Sequence, residues 1–291
     1  MLPPFFSNKP YWLQLCYLLL FLVGGVTIMG SLSLLIGQFL DVNSHSRSYL
    51  YITQFITSFG VFLIPALLFS YCAEKKWFYY SNAHKMVDSQ MVGYVLVLSF
   101  FILPVIAYVG YLNEQIILPE SLRKVEIWMR EMEESAKMLT LTLTKNSNIS
   151  ILLVNIILMA LTPAIFEEFL FRGTMQPFFT KWFGNKPVAI VVTAFIFSAI
   201  HFQFYGFIPR FLLGIYLGYL LIWGKSLWLP IIAHFMHNAA SLILDFSAQK
   251  RNIDLESLDP TQIKGFYQIL LFSTLFVGLG LYWMWRNRKK H

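Results

Sequence analysis

From residue 11 to residue 40 the chain runs without one charged side chain, and seven further apolar runs follow, at 49–71, 91–112, 149–173, 188–204, 207–223, 227–246 and 265–285. About 20 apolar residues let an α-helix cross the hydrocarbon of a bilayer. No water is present there to satisfy backbone N–H and C=O groups, so each run is expected to close its own hydrogen bonds as a helix. The expected fold class is therefore all-α: a polytopic membrane helical bundle of about eight transmembrane helices. Composition agrees, with 57% hydrophobic and only 13% charged residues, a balance foreign to soluble globular chains of this length. The first run is too long for the core of a signal peptide and is expected to stay as a membrane helix.

The net charge of +7 could suggest nucleic acid, but the basic residues sit in short segments between apolar runs, with a cluster at Arg286, Arg288, Lys289 and Lys290. They read as membrane-flanking cytosolic anchors. Eight helices put both termini on one side. The expectation is an integral protein of the cell (inner) membrane with both termini cytosolic, membrane lipids as neighbours and no nucleic acid as partner. Cys16 and Cys72 lie in or beside apolar runs, so no disulfide framework is indicated.

Composition divides the chain into four parts. Residues 1–112 form an N-terminal scaffold of transmembrane helices, with a polar turn at 41–48. Residues 113–148 interleave charges with large apolar residues, as in Glu126-Ile127-Trp128-Met129-Arg130, and suit an amphipathic interfacial segment or a solvated linker held by ion pairs. Residues 149–246 carry polar groups inside apolar runs. Residues 247–291 supply a connector, the last transmembrane helix and the basic tail.

The polar groups of the third part are the informative ones. A carboxylate inside a membrane helix costs roughly 2.5–3.5 kcal/mol on insertion scales, so it is a functional-site candidate by default. The fourth run holds two, Glu167 and Glu168. Glu168 stands four residues before Arg172 on the same helix face and is expected to be neutralised by it. Glu167 points about 100° away and needs a partner from another helix. The fifth run offers His201, and the seventh offers His234, His237 and Asn238, of which His234 and Asn238 share a face. These groups are expected to line one cavity that opens laterally or to the cytosol.

A carboxylate with a histidine polarises water for attack on a peptide carbonyl, and a His with an Asn amide donates hydrogen bonds to the resulting oxyanion. Alternatively Glu167, His201 and His234 hold Zn2+, which activates the water. No His-Glu-x-x-His is present, and the residues leave both mechanisms open. Arg210, at the start of the sixth run, either snorkels to the interface or binds a substrate carboxylate. Phe197 either walls the site or packs the core.

Glu167-Glu168-Phe-Leu-Phe-Arg172, Phe197-Ser-Ala-Ile-His201 and His234-Phe-Met-His-Asn238 resemble the Glu-Glu-x-x-x-Arg, Phe-x-x-x-His and His-x-x-x-Asn motifs of the CPBP family, over about residues 162–240. That family comprises the CAAX prenyl endopeptidases and the bacteriocin-processing or self-immunity proteins. The resemblance makes 149–246 a catalytic core and implies hydrolysis of a peptide bond at the membrane, in a peptide or protein substrate that is lipidated in the prenyl-processing branch. It also implies roles: Glu167 with His201 would activate the water, His234 and Asn238 would stabilise the oxyanion, and Glu168 with Arg172 would order the site. Two rival readings are a proton- or ion-coupled transporter, since carboxylate and histidine chains also relay protons, and a non-proteolytic membrane immunity or adaptor protein.

Overall fold

The computed structural model describes residues 4–39, 46–74, 77–87, 89–145, 148–253 and 259–287. Among them are ten α-helices and no strand. They are α1 (Tyr11–Phe39), α2 (Arg47–Ala73), the short α3 (Trp77–Tyr80), α4 (Ser89–Glu114), α5 (Arg123–Thr144), α6 (Ile149–Phe183), α7 (Lys186–Ala199), α8 (Phe207–Gly224), α9 (Trp228–Lys250) and α10 (Phe266–Asn287). Seven of these are long and apolar enough to cross a membrane, and the chain is an all-α integral membrane protein.

The fifth expected span is the exception. The run 188–204 reads as continuous, but α7 ends at Ala199 after 14 residues, about 21 Å of helix. A turn follows in which Phe202 takes a positive φ of 52°. Asn113, at the end of α4, holds that turn from both sides: its Nδ2 donates to the Phe204 carbonyl at 3.1 Å and its Oδ1 accepts from the Ile208 N–H at 2.9 Å. Ser198 Oγ donates to the Phe207 carbonyl at 2.7 Å. The loop's backbone groups are thus satisfied by side chains, and α8 starts back toward the end from which α7 came.

The first and last described segments lie at that same end of the bundle. Tyr11 stacks on Trp182, near the end of α6, with ring centroids 6.2 Å apart, and the Phe6 N–H donates to the Cys72 carbonyl at the end of α2. Lys186, Lys225 and Trp285 border one cavity there. Arg288, Lys289 and Lys290 of the basic tail, and residues 41–45 of the polar turn, fall outside the described residues. At the opposite end lies α5, held by Arg47, whose Nη2 donates to the Lys145 carbonyl at 2.8 Å, and by Asn155, whose Nδ2 donates to the Leu143 carbonyl at 3.1 Å.

The axis of the fold is α6, 35 residues long. It is not a uniform α-helix. Pro163 has no N–H to give to the preceding turn, and a π-helical stretch, Ile156–Leu161, leads into it; a second, Phe171–Met175, follows the glutamates. A wider turn frees carbonyls, and threonine hydroxyls take them: Thr162 Oγ1 donates to the Ile157 carbonyl at 2.9 Å and Thr174 Oγ1 to the Phe169 carbonyl at 3.0 Å. Such π turns recur at functional sites, and here they flank one.

Candidate active site

The site is built on a close helix crossing. Gly214 and Gly218 of α8 are four residues apart, so they share a face, and each is pressed on by α7: a Cβ at Gly214 would stand 2.9 Å from Ala194 Cβ, and one at Gly218 would stand 2.8 Å from Ile190 Cγ2. The bare backbone also exposes its carbonyls to α6. Arg172 Nη2 donates to the Gly214 carbonyl at 3.0 Å and, four residues on, Gln176 Nε2 donates to the Gly218 carbonyl at 3.1 Å. This two-rung ladder was not anticipated from the sequence. Its signal is the small-x-x-x-small spacing Gly214-Ile-Tyr-Leu-Gly218, the pattern by which membrane helices approach closely.

Arg172 anchored in this way completes the expected ion pair, with Nη1 2.7 Å from Glu168 Oε1 and both side chains fully buried. Its guanidinium also lies over the Phe197 ring at 4.6 Å, so Phe197 packs the structural side of the site as well as bordering the cavity. Glu168 does more than neutralise Arg172. Its Oε1 is 2.9 Å from His234 Nδ1, so one carboxylate oxygen ties α6 to α9 and orients the histidine. Because that oxygen accepts, His234 carries its proton on Nδ1, and its Nε2 is left to accept or, on a doubly protonated ring, to donate.

His201 is fixed by the same device. Its Nδ1 donates to the Phe197 carbonyl one turn back at 2.7 Å, which leaves Nε2 with a lone pair. A cavity of about 660 Å³ receives these groups. Glu167, His201, Arg210, His234, His237 and Asn238 all border it, whereas Glu168 and Arg172 are buried behind it. Glu167 is 8% exposed and, among the described residues, has no hydrogen-bond or ion-pair partner. His237 also borders the cavity, with its buried Nδ1 unpartnered among the described residues.

The cavity extends to Thr140 of α5 and Gly110 of α4, so it lies toward the end of the bundle opposite Tyr11 and Trp285. α5 is docked on the turn that follows α7. Trp128 packs on Phe204 at 5.1 Å between centroids, Arg130 lies over the Tyr205 ring at 4.6 Å, and Glu133 Oε2 accepts from the Tyr205 N–H at 3.2 Å. The Arg130 hydrogen bond holds Glu126 below the ordinary carboxylate range, while burial pushes Glu133 above it.

The donor types of Glu167, His201 and His234 suit zinc, and a ring Nδ1 bonded to a carbonyl or carboxylate is how metal-binding histidines are commonly oriented. Their spacing does not fit. No three His, Cys, Asp or Glu side chains among the described residues stand close enough together to hold a metal ion.

Residues 149–240 match the family model described as type II CAAX prenyl endopeptidase, Rce1-like. The matched stretch begins with α6 and ends two residues beyond Asn238, so it contains all three motifs. No curated protein and no solved structure matches the chain.

Proposed function

We propose, for a chain that carries a CPBP-family intramembrane protease segment of the CAAX type over residues 149–240, that Glu167 is the base that activates water for peptide hydrolysis. The observation that supports this most is the contrast between adjacent carboxylates: Glu168 is bound at 2.7 and 2.9 Å, while Glu167 is left unpartnered on the cavity wall. A buried carboxylate without a partner is expensive. It is kept where a reacting group must reach it.

In this reading a water lies between Glu167 and His201, giving one proton to the carboxylate and a hydrogen bond to the free Nε2. Its oxygen attacks the scissile carbonyl as Glu167 takes the proton. The oxyanion is met by Asn238 Nδ2 and by Nε2 of a protonated His234, whose Nδ1 stays on Glu168. As the C–N bond breaks, Glu167 returns its proton to the departing amine. Glu168 and Arg172 touch no reacting atom; they position His234 and hold α6, α8 and α9 together.

The substrate in this reading is a membrane-associated peptide or protein, C-terminal CAAX-like or bacteriocin-type. Leu103, Ile106, Leu242 and Leu244 border the cavity and suit a lipidated or apolar segment beside the cut. The test is cleavage of a CAAX-like peptide, with and without an S-linked prenyl chain, by the protein in bilayers, with a metal chelator present or absent. Glu167→Gln should lower the rate by about 10²- to 10⁴-fold without unfolding the protein. Full activity in that variant overturns the role of Glu167; ion flux abolished by it, in a wild type that cleaves nothing, supports the transporter instead. Activity lost to the chelator and restored by zinc would move the water onto a metal.

A further inference from the structure

We infer that Arg210 is the receptor for a substrate carboxylate, so that the protein recognises the free C-terminus of the peptide it cuts. The inference rests on the protease reading above and names what that site selects.

The two arginines beside the site are held in opposite ways. Arg172 has a carboxylate at 2.7 Å and a backbone carbonyl at 3.0 Å. Arg210 borders the cavity and, among the described residues, forms no ion pair. Its hydrogen bonds run to one residue, Gln203: Nη2 donates to Oε1 at 2.8 Å and Nη1 to the backbone carbonyl at 3.4 Å. Glu133 and Glu167 are the carboxylates whose charge reaches Arg210; neither forms an ion pair with it among the described residues, and Glu133 Oε2 accepts from the Tyr205 N–H. A guanidinium has five N–H donors, and Gln203 takes two.

The surroundings are shaped to keep the guanidinium there. A Cβ on Gly206 would stand 3.0 Å from Arg210 Nη2, so the absence of a side chain at 206 gives the fork its place. Gln203 then fixes its direction through neutral acceptors, which orient the cation without neutralising it. An arginine that only snorkelled would carry its head to the water beside the headgroups; this one is tethered on the wall that also holds His201 and Asn238. A cation kept unpaired in a membrane cavity calls for an anion delivered by the ligand. Arg is the side chain whose planar fork binds a carboxylate through two parallel hydrogen bonds.

A peptide substrate brings such an anion with it. Water adds across the peptide bond, leaving a new carboxylate on the upstream, membrane-attached product and a new amine on the released fragment. The fragment's original α-carboxylate is present before and after the cut. Bound to Arg210, it sets how far upstream of the C-terminus the scissile bond meets Glu167.

The test uses two peptides identical except for a C-terminal acid or a C-terminal amide. For the wild type in bilayers, kcat/KM should favour the acid by about 10- to 100-fold, the range of a hydrogen bond to a charged group. Arg210→Gln should bring the acid down to the level of the amide and leave the amide unchanged. Arg210→Lys, which keeps the charge without the fork, should retain part of the preference. Equal cleavage of acid and amide by the wild type overturns the inference. So does an Arg210→Gln variant that loses activity on both alike, since that marks a structural role. Should Arg210→Gln not fold, the wild-type ratio and Arg210→Lys still decide. A wild type that cuts neither peptide overturns the protease reading and this one with it.

Discussion

The two sides of the cavity are made of the same residue types in opposite states. On one side Glu168, Arg172 and His234 form a network in which each residue has a partner at 2.7 to 3.0 Å, although Glu168 Oε2 and Arg172 Nε stay unpartnered among the described residues. On the other, Glu167, the Nε2 of His201 and the guanidinium of Arg210 face open space. Glu167 and Glu168 are neighbours in sequence, separated only by the turn of the helix. A buried network whose members bond one another holds a fold in one arrangement. One that is unsatisfied costs stability, and its retention points to a ligand. The difference between the sides divides structure from chemistry more finely than the motifs do, since Glu168 and Arg172 belong to the motif yet lie behind the cavity.

The largest effect that would break this division is expected at Arg172. Arg172→Met strands Glu168 in the core, and removing one partner of a buried pair costs about 3–5 kcal/mol. Adding Glu168→Gln in the same chain should recover part of that loss, because no unpaired charge then remains. Equilibrium unfolding in mixed micelles reads both variants. If Arg172→Met proves as mild as Glu167→Gln, the two sides are not distinct. The next effect is on rate. Asn238→Ala should lower kcat about 10²- to 10³-fold, as loss of an oxyanion donor does, while the unfolding midpoint stays close to that of the wild type. A fall in stability without a fall in rate would move Asn238 to the structural side.

Much of this was legible in the chain. Uncharged runs announce membrane helices because hydrocarbon admits little else, and the glutamate and His-x-x-x-Asn motifs fall on the helices expected of them, whereas His201 lies in the turn just past the end of α7. The i,i+4 pairing of Glu168 with Arg172 is local, so helical spacing alone reveals it. Contacts between elements were not legible. The run 188–204 reads as one span because Phe202 and Phe204 are apolar; it is ended by Asn113, almost 90 residues earlier in the chain. The choice of Glu168 as the partner of His234 depends on the rotation of α6, and an ideal helical wheel gives no account of the π-helical stretches before Pro163 and after Leu170. The position of the cavity was hidden for a related reason: it is set by the docking of α5 on the turn after α7, through Trp128, Arg130 and Glu133.

The smallest predicted effect concerns the crossing that carries both sides. Gly218→Ala must push Ile190 Cγ2 away from 2.8 Å and Gln176 Oε1 away from 3.0 Å, and overpacking of this kind costs about 1–3 kcal/mol. Gly24→Ala is the control, because a Cβ there meets nothing within 4 Å and Ala is the better helix former by up to about 1 kcal/mol. The first should lower the unfolding midpoint and the second should hold or raise it. Gly218 also sits one turn from Gly214, whose carbonyl anchors Arg172. Separation of α7 from α8 should therefore loosen the Glu168 network and, through His234, slow cleavage as well. If Gly218→Ala lowers stability yet leaves the rate of the folded fraction untouched, the crossing supports the helices without positioning the histidine, and the link from helix packing to oxyanion stabilisation is lost.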